Sequence, residues 1–490
     1  MSFPKAGCPG LPALILSLAC GAHALLLDST FSDNMVLQRE RTITVTGRAT
    51  PGEKIDIAFN GQTATAAADA EGKWKIPLNP MQAGGPYAFA VKGLDTSIAI
   101  KNVLMGDVWL CSGQSNMQFT VNRDTVFKAA DSMQAVNLPE IRQCDALSKK
   151  WISAVPSSVG QFTAAGFFTL REAYQATKVP MGILLAAAGG SVIETWMPPG
   201  GPGAYSNAYN RYIVPWQGYP IKGALWYQGE SNRAGMPERY GAQLTALING
   251  WRQAWKQGDF PFFWVQLPNY LQAQADPNVK SGLALVREGQ RLNLALPNTG
   301  MAVTIDIGDS ADIHPANKRD VGLRLSRPVL AKVYGRSLEI SGPLYEALKI
   351  EGARIRLRFS HATGGMVAKG GKLEGFAIAG ADSVFRLADA VIEGLDIVVS
   401  QASVPAPTQV RYAWADNPVC NLYNGEGLPA SPFRTSGPQL PAALVTKLDP
   451  MRSLPVPGSD IRLQGFDVLG RIPVRPSRLE NSGLEIGKRP

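Results

Sequence analysis

The spacing of apolar residues changes twice along this chain, and this change limits the folds that it can adopt. From about Leu104 onward, continuous apolar runs alternate with stretches of helical periodicity. The runs are 108–110, 183–187, 224–227, 262–267 and 301–305. Continuous apolar strands are buried on both faces, and the helices between them supply the cover. Residues 104–335 are therefore predicted to be an α/β unit, a parallel sheet with helices on both faces.

The regions on either side of this unit have a different pattern. Residues 25–103 contain short alternating runs, such as "RTITVTGRA" and "PGEKIDIAFNG", that are broken by Gly and Pro. This pattern predicts an N-terminal β-sandwich-like domain. Residues 336–436 return to similar runs, such as "ARIRLRFSH" and "DIVVSQAS", and predict a C-terminal β domain. The Pro-rich segment 437–490 has no periodicity, and we expect a loosely ordered tail.

The first 24 residues resemble an export signal. Lys5 precedes an apolar run, and Ala22-His23-Ala24 fits the small-x-small cleavage pattern. A secreted or periplasmic protein is therefore expected. The alternatives are a buried first strand or short helix, and a lipoprotein signal around Cys20, which the Ser17 position disfavours. The run is too short to span a bilayer, so we expect no membrane insertion once the signal is removed.

Charge and composition exclude several classes of partner. The chain has 48 Lys and Arg against 39 Asp and Glu, a formal net charge of +9. These cations are scattered without a long basic run, so we expect a solvated surface, no nucleic-acid partner and at most weak attraction to acidic glycans. Outside the signal, only His314 and His361 remain, and no Cys cluster accompanies them. No metal site and no cofactor are predicted.

Two segments that follow predicted strands carry a nucleophile and a base. Ser115 lies in "WLCSGQSNMQF" between Gln114 and Asn116, and His314 lies in "DIGDSADIHPANK". The carboxyl ends of parallel strands meet at one edge of a sheet, where ligands bind. Imidazole is the usual base that activates a serine hydroxyl. The ordinary structural alternatives are a helix cap for Ser115 and a hydrogen-bonded loop histidine for His314.

The same edge receives two further polar segments. Gly190 lies in "AAAGGSVIETW", while "LWYQGESN" carries Gln228, Glu230 and Asn232. The backbone N–H groups of Ser115 and Gly190, with the Gln228 amide, could hold an oxyanion. A tight turn and a helix cap are the ordinary alternatives. Together these segments predict acyl transfer, although the G-x-S-x-G elbow is absent because Met117 replaces its second Gly.

Four segments resemble the blocks of the sialate O-acetylesterase family in the SGNH-hydrolase superfamily: "GDVWLCSGQSNMQF", "GGSVIETW", "GALWYQGESN" and "DIHPANK". The similarity extends over about residues 27–435. It implies a flavodoxin-like sheet and a secreted serine esterase that removes O-acetyl groups from sugars. Ser115 matches the family's nucleophile and His314 its base, while Gly190 and Gln228 match regions that supply oxyanion donors.

The resemblance leaves the substrate and the third member of a triad open. Sialate 9-O-acetylesterase activity is expected first, and acetylxylan or another acetylated polysaccharide is the alternative substrate. A non-catalytic glycan-binding protein is the alternative of another class. The superfamily places its acid three residues before the histidine, where this chain has Ala311. Asp312, Asp309 or a Ser-His dyad aided by a carbonyl remain, and Asp312 could instead cap a helix that begins near Pro315.

Overall fold

The computed structural model describes residues 24–130 and 133–436. The predicted export signal up to residue 23 and the predicted tail from residue 437 lie outside the described residues. Within these ranges, no helix combines the length and the apolar character that crossing a membrane requires.

Two small sheets form the N-terminal region. Its strands are β1 (Leu26–Leu27), β2 (Val36–Gln38), β3 (Ile43–Arg48), β4 (Lys54–Phe59), β5 (Gln62–Ala67), β6 (Lys73–Leu78), β7 (Gly84–Lys92) and β8 (Ser97–Gly113). One sheet has the order β1-β3-β6. The other group, in which β2 and β7 pair with β8 and β4 joins β5 to β7, is continuous through β8 with the central sheet. The alternation seen in the sequence decides which side chains are inside: in β6, Trp74 and Ile76 are buried and Lys73 and Lys75 are exposed.

Strand β8 belongs to two structures at once. Its first part pairs antiparallel with β7 as far as Met105. From Asp107 to Gly113 it runs parallel to strands of the central sheet and is completely buried. Burial on both faces explains why this half reads as a continuous apolar run. The predicted domain boundary at 103/104 therefore falls inside a single strand of 17 residues.

The central region alternates helices and strands. Its elements are α1 (Ser115–Gln118), α2 (Thr125–Ala130), β9 (Leu138–Asp145), β10 (Trp151–Ala154), α3 (Ala164–Thr177), β11 (Met181–Ala187), β12 (Gly223–Tyr227), α4 (Tyr240–Trp255), β13 (Phe262–Val265), α5 (Gly282–Leu292), β14 (Thr299–Ala302) and α6 (Lys318–Tyr334). The sheet order is β10-β9-β11-β8-β12-β13-β14, parallel from β9 to β14. The predicted parallel sheet is confirmed, but two predicted ends are wrong. Strand β13 ends at Val265 and β14 at Ala302. The apolar residues beyond these ends are buried in loops, so the apolar run did not mark where each strand ends.

Helices cover the sheet in two pairs. The connection from β8 to β11 advances across the sheet in one direction, and those from β12 to β14 advance in the other. Since crossovers are right-handed, α3 lies on one face and α4 and α5 lie on the opposite face. Helix α6, which follows the last strand, packs against α3 and so shares its face. A glycine permits each close approach. A Cβ on Gly322 of α6 would lie 2.4 Å from Phe168 of α3, and one on Gly289 of α5 would lie 2.7 Å from the Gly241 nitrogen of α4.

The C-terminal region is built from short strands. They are β15 (Leu344–Glu351), β16 (Arg354–Ser360), β17 (Met366–Ala368), β18 (Phe376–Ala379), β19 (Arg386–Leu387), β20 (Asp389–Glu393), β21 (Asp396–Ser400), β22 (Gln409–Tyr412), β23 (Leu422–Asn424) and β24 (Phe433–Arg434). Fully buried Arg287 of α5 joins this region to the central one. Its guanidinium donates to the carbonyls of Ala415 at 2.6 Å and Asp416 at 2.9 Å. The two regions therefore meet in a hydrogen-bonded seam.

Candidate active site

Ser115 is held where β8 ends against β12. Gly113 has φ +140°, and a Cβ there would lie 2.1 Å from the Tyr227 carbonyl oxygen, so only glycine allows this approach. The chain then turns into α1, with Gln114 at the capping position and Ser115 as the first helical residue. The Ser115 hydroxyl lies 2.8 Å from Nε2 of His314. The helix-cap alternative for Ser115 is therefore wrong.

The loop after β14 brings His314 to this edge from 199 positions further along the chain. Two buried groups fix the loop on either side of the histidine. The Asn116 amide donates to the Ile313 carbonyl at 3.0 Å. Beyond the histidine, the Asp124 carboxylate accepts from the backbone N–H of Lys318 at 2.7 Å. The imidazole is thus positioned by residues close in sequence to the serine that it contacts.

Asp312 is the carboxylate that approaches the far side of the imidazole. Its Oδ1 accepts from the backbone N–H of His314 at 2.8 Å and lies 3.4 Å from Nδ1. Helix α6 begins at Lys318 and is capped by Asn317, so the alternative role of Asp312 as the cap of a helix near Pro315 is wrong. Asp309 instead accepts from its neighbour Ala311, at 2.8 Å.

Burial and charge act on His314 in opposite directions. Burial lowers its pKa from the ordinary value, and the nearby Lys318 and Arg123 cations lower it further, while Asp312 raises it. The desolvation effect is the largest, so the pKa is lowered overall. A neutral imidazole with Nδ1–H directed at Asp312 leaves Nε2 as an acceptor for the serine proton.

Two backbone N–H groups at this edge are open to a ligand. Gly190 has φ +70° in the turn where the Ser191 N–H donates to the Ala188 carbonyl at 3.4 Å. A Cβ on neighbouring Gly189 would lie 3.8 Å from the Ser115 Cβ, so this turn lies beside the nucleophile. In the described parts of the chain, the N–H groups of Ser115 and Gly190 donate to no protein acceptor. Backbone donors left free beside the nucleophile are what an oxyanion requires.

Gln228, whose amide was predicted to be an oxyanion donor, contacts the glycine turn instead of standing free. Its side chain is fully buried. The amide nitrogen lies within hydrogen-bond distance of three acceptors: Gln114 Oε1 at 3.1 Å, the Ser191 carbonyl at 3.0 Å and Asn232 Oδ1 at 2.8 Å. The Tyr240 hydroxyl donates to its oxygen at 3.1 Å. With both N–H groups engaged, Gln228 ties the glycine turn to the end of β12 from behind.

Glu230 and Lys318 are two buried ionisable residues close to the dyad, and each acts on the pKa of the other. Asn116 donates to Glu230, and the Lys318 ammonium donates to the Pro315 carbonyl and lies 4.4 Å from the Phe119 ring centre. Burial raises the pKa of Glu230, although the Asn116 hydrogen bond opposes it. Burial lowers the pKa of Lys318 to about 7, against the attraction of Glu230. Two ionisable groups at this depth are tolerated only while each keeps its contacts.

Sequence reasoning missed three residues of this site. Asp124 and Lys318 hold the histidine loop, and Glu194 accepts from Asn232 at 2.9 Å. Lys318 and Glu194 lie inside the family-like blocks "DIHPANK" and "GGSVIETW", and this position could have marked them as candidates. No sequence pattern marked Asp124. Asn232 itself also accepts from the Ile193 N–H at 2.9 Å, so it positions the turn and is not a helix cap.

Cys111 is fully buried in β8, and burial raises the pKa of its thiol, as expected for an unreactive core cysteine. Within the described ranges, no group of three or more His, Cys, Asp or Glu residues is placed to hold a metal ion.

Comparison with known proteins identifies the family. The model of a carbohydrate esterase family, described as sialic acid-specific acetylesterase, matches residues 105–330. A crystal structure of a carbohydrate acetylesterase from Xanthomonas citri is 38% identical, with a TM-score of 0.80, over 84% of this chain and 100% of that one. The chain belongs to this esterase family. It is accordingly a carboxylic ester hydrolase.

Curated relatives of this esterase extend the similarity beyond the central region. The sialate O-acetylesterase of Pongo abelii is 27% identical over 90% of this chain and 96% of its own length. The sialate O-acetylesterase of Homo sapiens is 28% identical over 69% of this chain and 77% of its own length. The matched family segment begins in β8 and ends in α6, and it therefore contains both Ser115 and His314.

Proposed function

We propose that this esterase hydrolyses O-acetyl groups of carbohydrates through an acetyl-Ser115 intermediate. The observation that carries the proposal is the 2.8 Å distance between the Ser115 hydroxyl and Nε2 of His314. A hydroxyl at hydrogen-bond distance from a neutral imidazole can lose its proton as it attacks an ester carbonyl. A glycan-binding protein without catalysis would not need this pair.

The reaction proceeds in two steps. Ser115 attacks the acetyl carbonyl while His314 takes its proton, and the N–H groups of Ser115 and Gly190 stabilise the negative oxygen. The imidazolium, oriented by Asp312, then protonates the leaving sugar oxygen. In the second step, His314 takes a proton from water as the water oxygen attacks the acetyl-serine. The imidazolium then returns this proton to the Ser115 oxygen as its bond to the acetyl group breaks, so acetic acid leaves and both residues are restored.

The proposed natural substrate is an O-acetylated sialic acid, because the curated relatives are named sialate O-acetylesterases. An acetylated polysaccharide such as acetylxylan is the alternative, since the Xanthomonas citri relative is described as a carbohydrate acetylesterase without a named sugar. Acetate release from the two substrates at equal acetyl concentration distinguishes them. We further propose that the protein acts outside the cytoplasm, on the evidence of its first 24 residues.

The serine mechanism is tested by Ser115→Ala. We expect the rate of p-nitrophenyl acetate hydrolysis to fall by about 10³-fold or more, since removal of a triad nucleophile is that costly. Ser148→Ala changes an exposed serine and serves as the matched control. Incubation with labelled substrate should trap an acetylated wild-type protein, detectable by mass spectrometry, and none in Ser115→Ala. Equal turnover by Ser115→Ala and the wild type would refute the mechanism.

A further inference from the structure

A groove of about 580 Å³ lies at the seam between the central and C-terminal regions. One wall is formed by residues 278–282, just before and at the start of α5, and the other by β22, β24 and the segment after β22. Four cationic side chains line it: Arg233, Lys280, Arg411 and Arg434. Its volume is within the range of pockets that hold a small ligand.

These four cations have no anionic partner among the described residues. No carboxylate lies within ion-pair distance of any of them, and Glu238, the acidic residue of the lining, is exposed and unpaired. The contacts that they do make are with rings and carbonyls. Arg233 lies over Tyr270 at 5.5 Å, and Arg411 donates to the Pro277 carbonyl at 3.2 Å. Among the described residues of the lining, four cations therefore face one carboxylate, and the groove keeps an excess of positive charge.

The register of β22 and β24 places two of these positive charges directly opposite each other. Arg411 and Arg434 are direct partners across the two strands, and their side chains lie on the same face. Like charges in this relation destabilise a sheet. Both guanidiniums lie over Trp414, at 5.5 Å and 5.0 Å from its ring centre, so they remain close together. The Arg411 Nε is buried and has no hydrogen-bond acceptor.

An anion in the groove would offset the repulsion between these two like charges. Burial lowers the pKa of Arg411, and the Arg434 charge lowers it further. Planar guanidiniums bind carboxylates with two parallel hydrogen bonds, which a solvated surface arginine does not need.

We propose that this groove binds the carboxylate of an acidic sugar residue. The choice of a sugar acid as the ligand rests on the proposed function, whereas the anion site rests on the cations themselves. Two contacts connect the groove to the catalytic edge. Glu230, bonded to Asn116, is followed within one short turn by Arg233 of the groove. Tyr270, which Arg233 covers, pairs with Asp309 in the loop that carries His314.

The test is a direct binding titration in the Ser115→Ala background, so that no turnover occurs and the result is independent of the esterase mechanism. The probes are glucuronate, glucose and inorganic phosphate. Their binding is measured by calorimetry at low ionic strength. We expect saturable, millimolar binding of glucuronate and none of glucose. Arg434→Gln should weaken glucuronate binding by about ten-fold, the effect of losing a hydrogen bond to a charged group. Lys280→Gln should weaken it in the same direction.

Arg358→Gln is the matched control, because Arg358 is an exposed arginine of the same C-terminal region outside the groove. It should bind glucuronate as the parent does. Lys280 is exposed and forms no hydrogen bond or ion pair with the described protein, so Lys280→Gln reports on the groove even if Arg434→Gln folds poorly. Equal binding of glucose and glucuronate, no loss in either groove variant, or phosphate binding tighter than glucuronate would each overturn the proposal.

Discussion

The catalytic edge and the seam groove use polar residues in opposite ways. At the edge, the buried amides and carboxylates bond chiefly to one another, as in the links from Asn116 to Glu230 and from Gln228 to Asn232. In the groove, Arg411 and Arg434 face each other across a strand pair and have no carboxylate partner. The first arrangement fixes the position of reacting atoms, and the second carries the binding role that we propose. On this proposal, mutual bonding marks residues that position, while unpaired charge marks residues that bind.

Asn116→Ala should have the largest effect, because it breaks the mutual bonding of the edge. The variant loses the donor to the Ile313 carbonyl beside His314 and leaves the buried Glu230 without its hydrogen bond. We expect kcat to fall by about 10²-fold, as when a catalytic group shifts by about an ångström. The free energy of unfolding should fall by about 1–3 kcal/mol.

Steady-state kinetics and thermal unfolding of Asn116→Ala measure these effects, with Asn137→Ala, an exposed asparagine, as the control. If kcat of Asn116→Ala matched that of the control, the buried bonds of the edge would have no positioning role.

Asp312→Asn should have an intermediate effect. The carboxylate is 58% exposed and 3.4 Å from Nδ1, so we expect kcat to fall by only about ten-fold, far less than for a buried triad acid. The pH dependence provides the sharper readout. His314 acts as a base only when neutral, and activity is lost as pH falls through its pKa. Because Asp312 raises that pKa, its removal should move the acidic limb of kcat/KM to lower pH.

A pH series with p-nitrophenyl acetate measures this limb. In the wild type it should already lie below about 6.5, the ordinary histidine value, because burial lowers the pKa of His314. A limb that moved to higher pH in Asp312→Asn would show that another group orients the imidazole.

Added salt should produce the smallest effect. It should also distinguish the groove from the catalytic edge, because it changes KM only for a substrate that uses the groove. Raising sodium chloride from about 50 mM to about 500 mM shortens the range of exposed charge interactions. We expect KM for an O-acetylated acidic sugar to rise by about three-fold while kcat stays constant. KM for neutral p-nitrophenyl acetate, which has no carboxylate for the groove, should not change. An equal rise for both substrates would assign the salt effect to the catalytic edge.

The sequence predicted the elements that depend on local pattern. The continuous apolar runs became β8, β11, β12, β13 and β14, and the spacing from Tyr240 to Trp255 became α4. Ser115 and His314 could be placed at one edge because parallel strands bring their ends together. Strands β9 and β10 were missed. The sequence of β9, "LPEIRQCD", interrupts its apolar residues with charged ones, as an outer part of the sheet permits.

What could not be predicted depends on three-dimensional neighbours. The orientation of the Gln228 amide is decided by Gln114 and Asn232, which surround it only after folding. The same holds for Lys318, whose burial no pattern indicated. Arg411 and Arg434 are 23 positions apart and become neighbours only through the register of β22 and β24. The sequence pattern does not specify that register. Positioning and binding residues were therefore harder to identify than the reacting ones.

Strand β8 links the serine mechanically to the N-terminal region. Strand β8 ends two residues before Ser115 and begins at Ser97, where it pairs with β7 among N-terminal strands that carry no residue of the catalytic edge. Deleting the N-terminal strands would remove the pairing partners of one half of β8, a central strand of the hydrolase sheet. We therefore expect the N-terminal strands to be an integral part of the esterase fold and not a separable domain. Loosening the N-terminal end of β8 would also loosen the position of Ser115 at its other end.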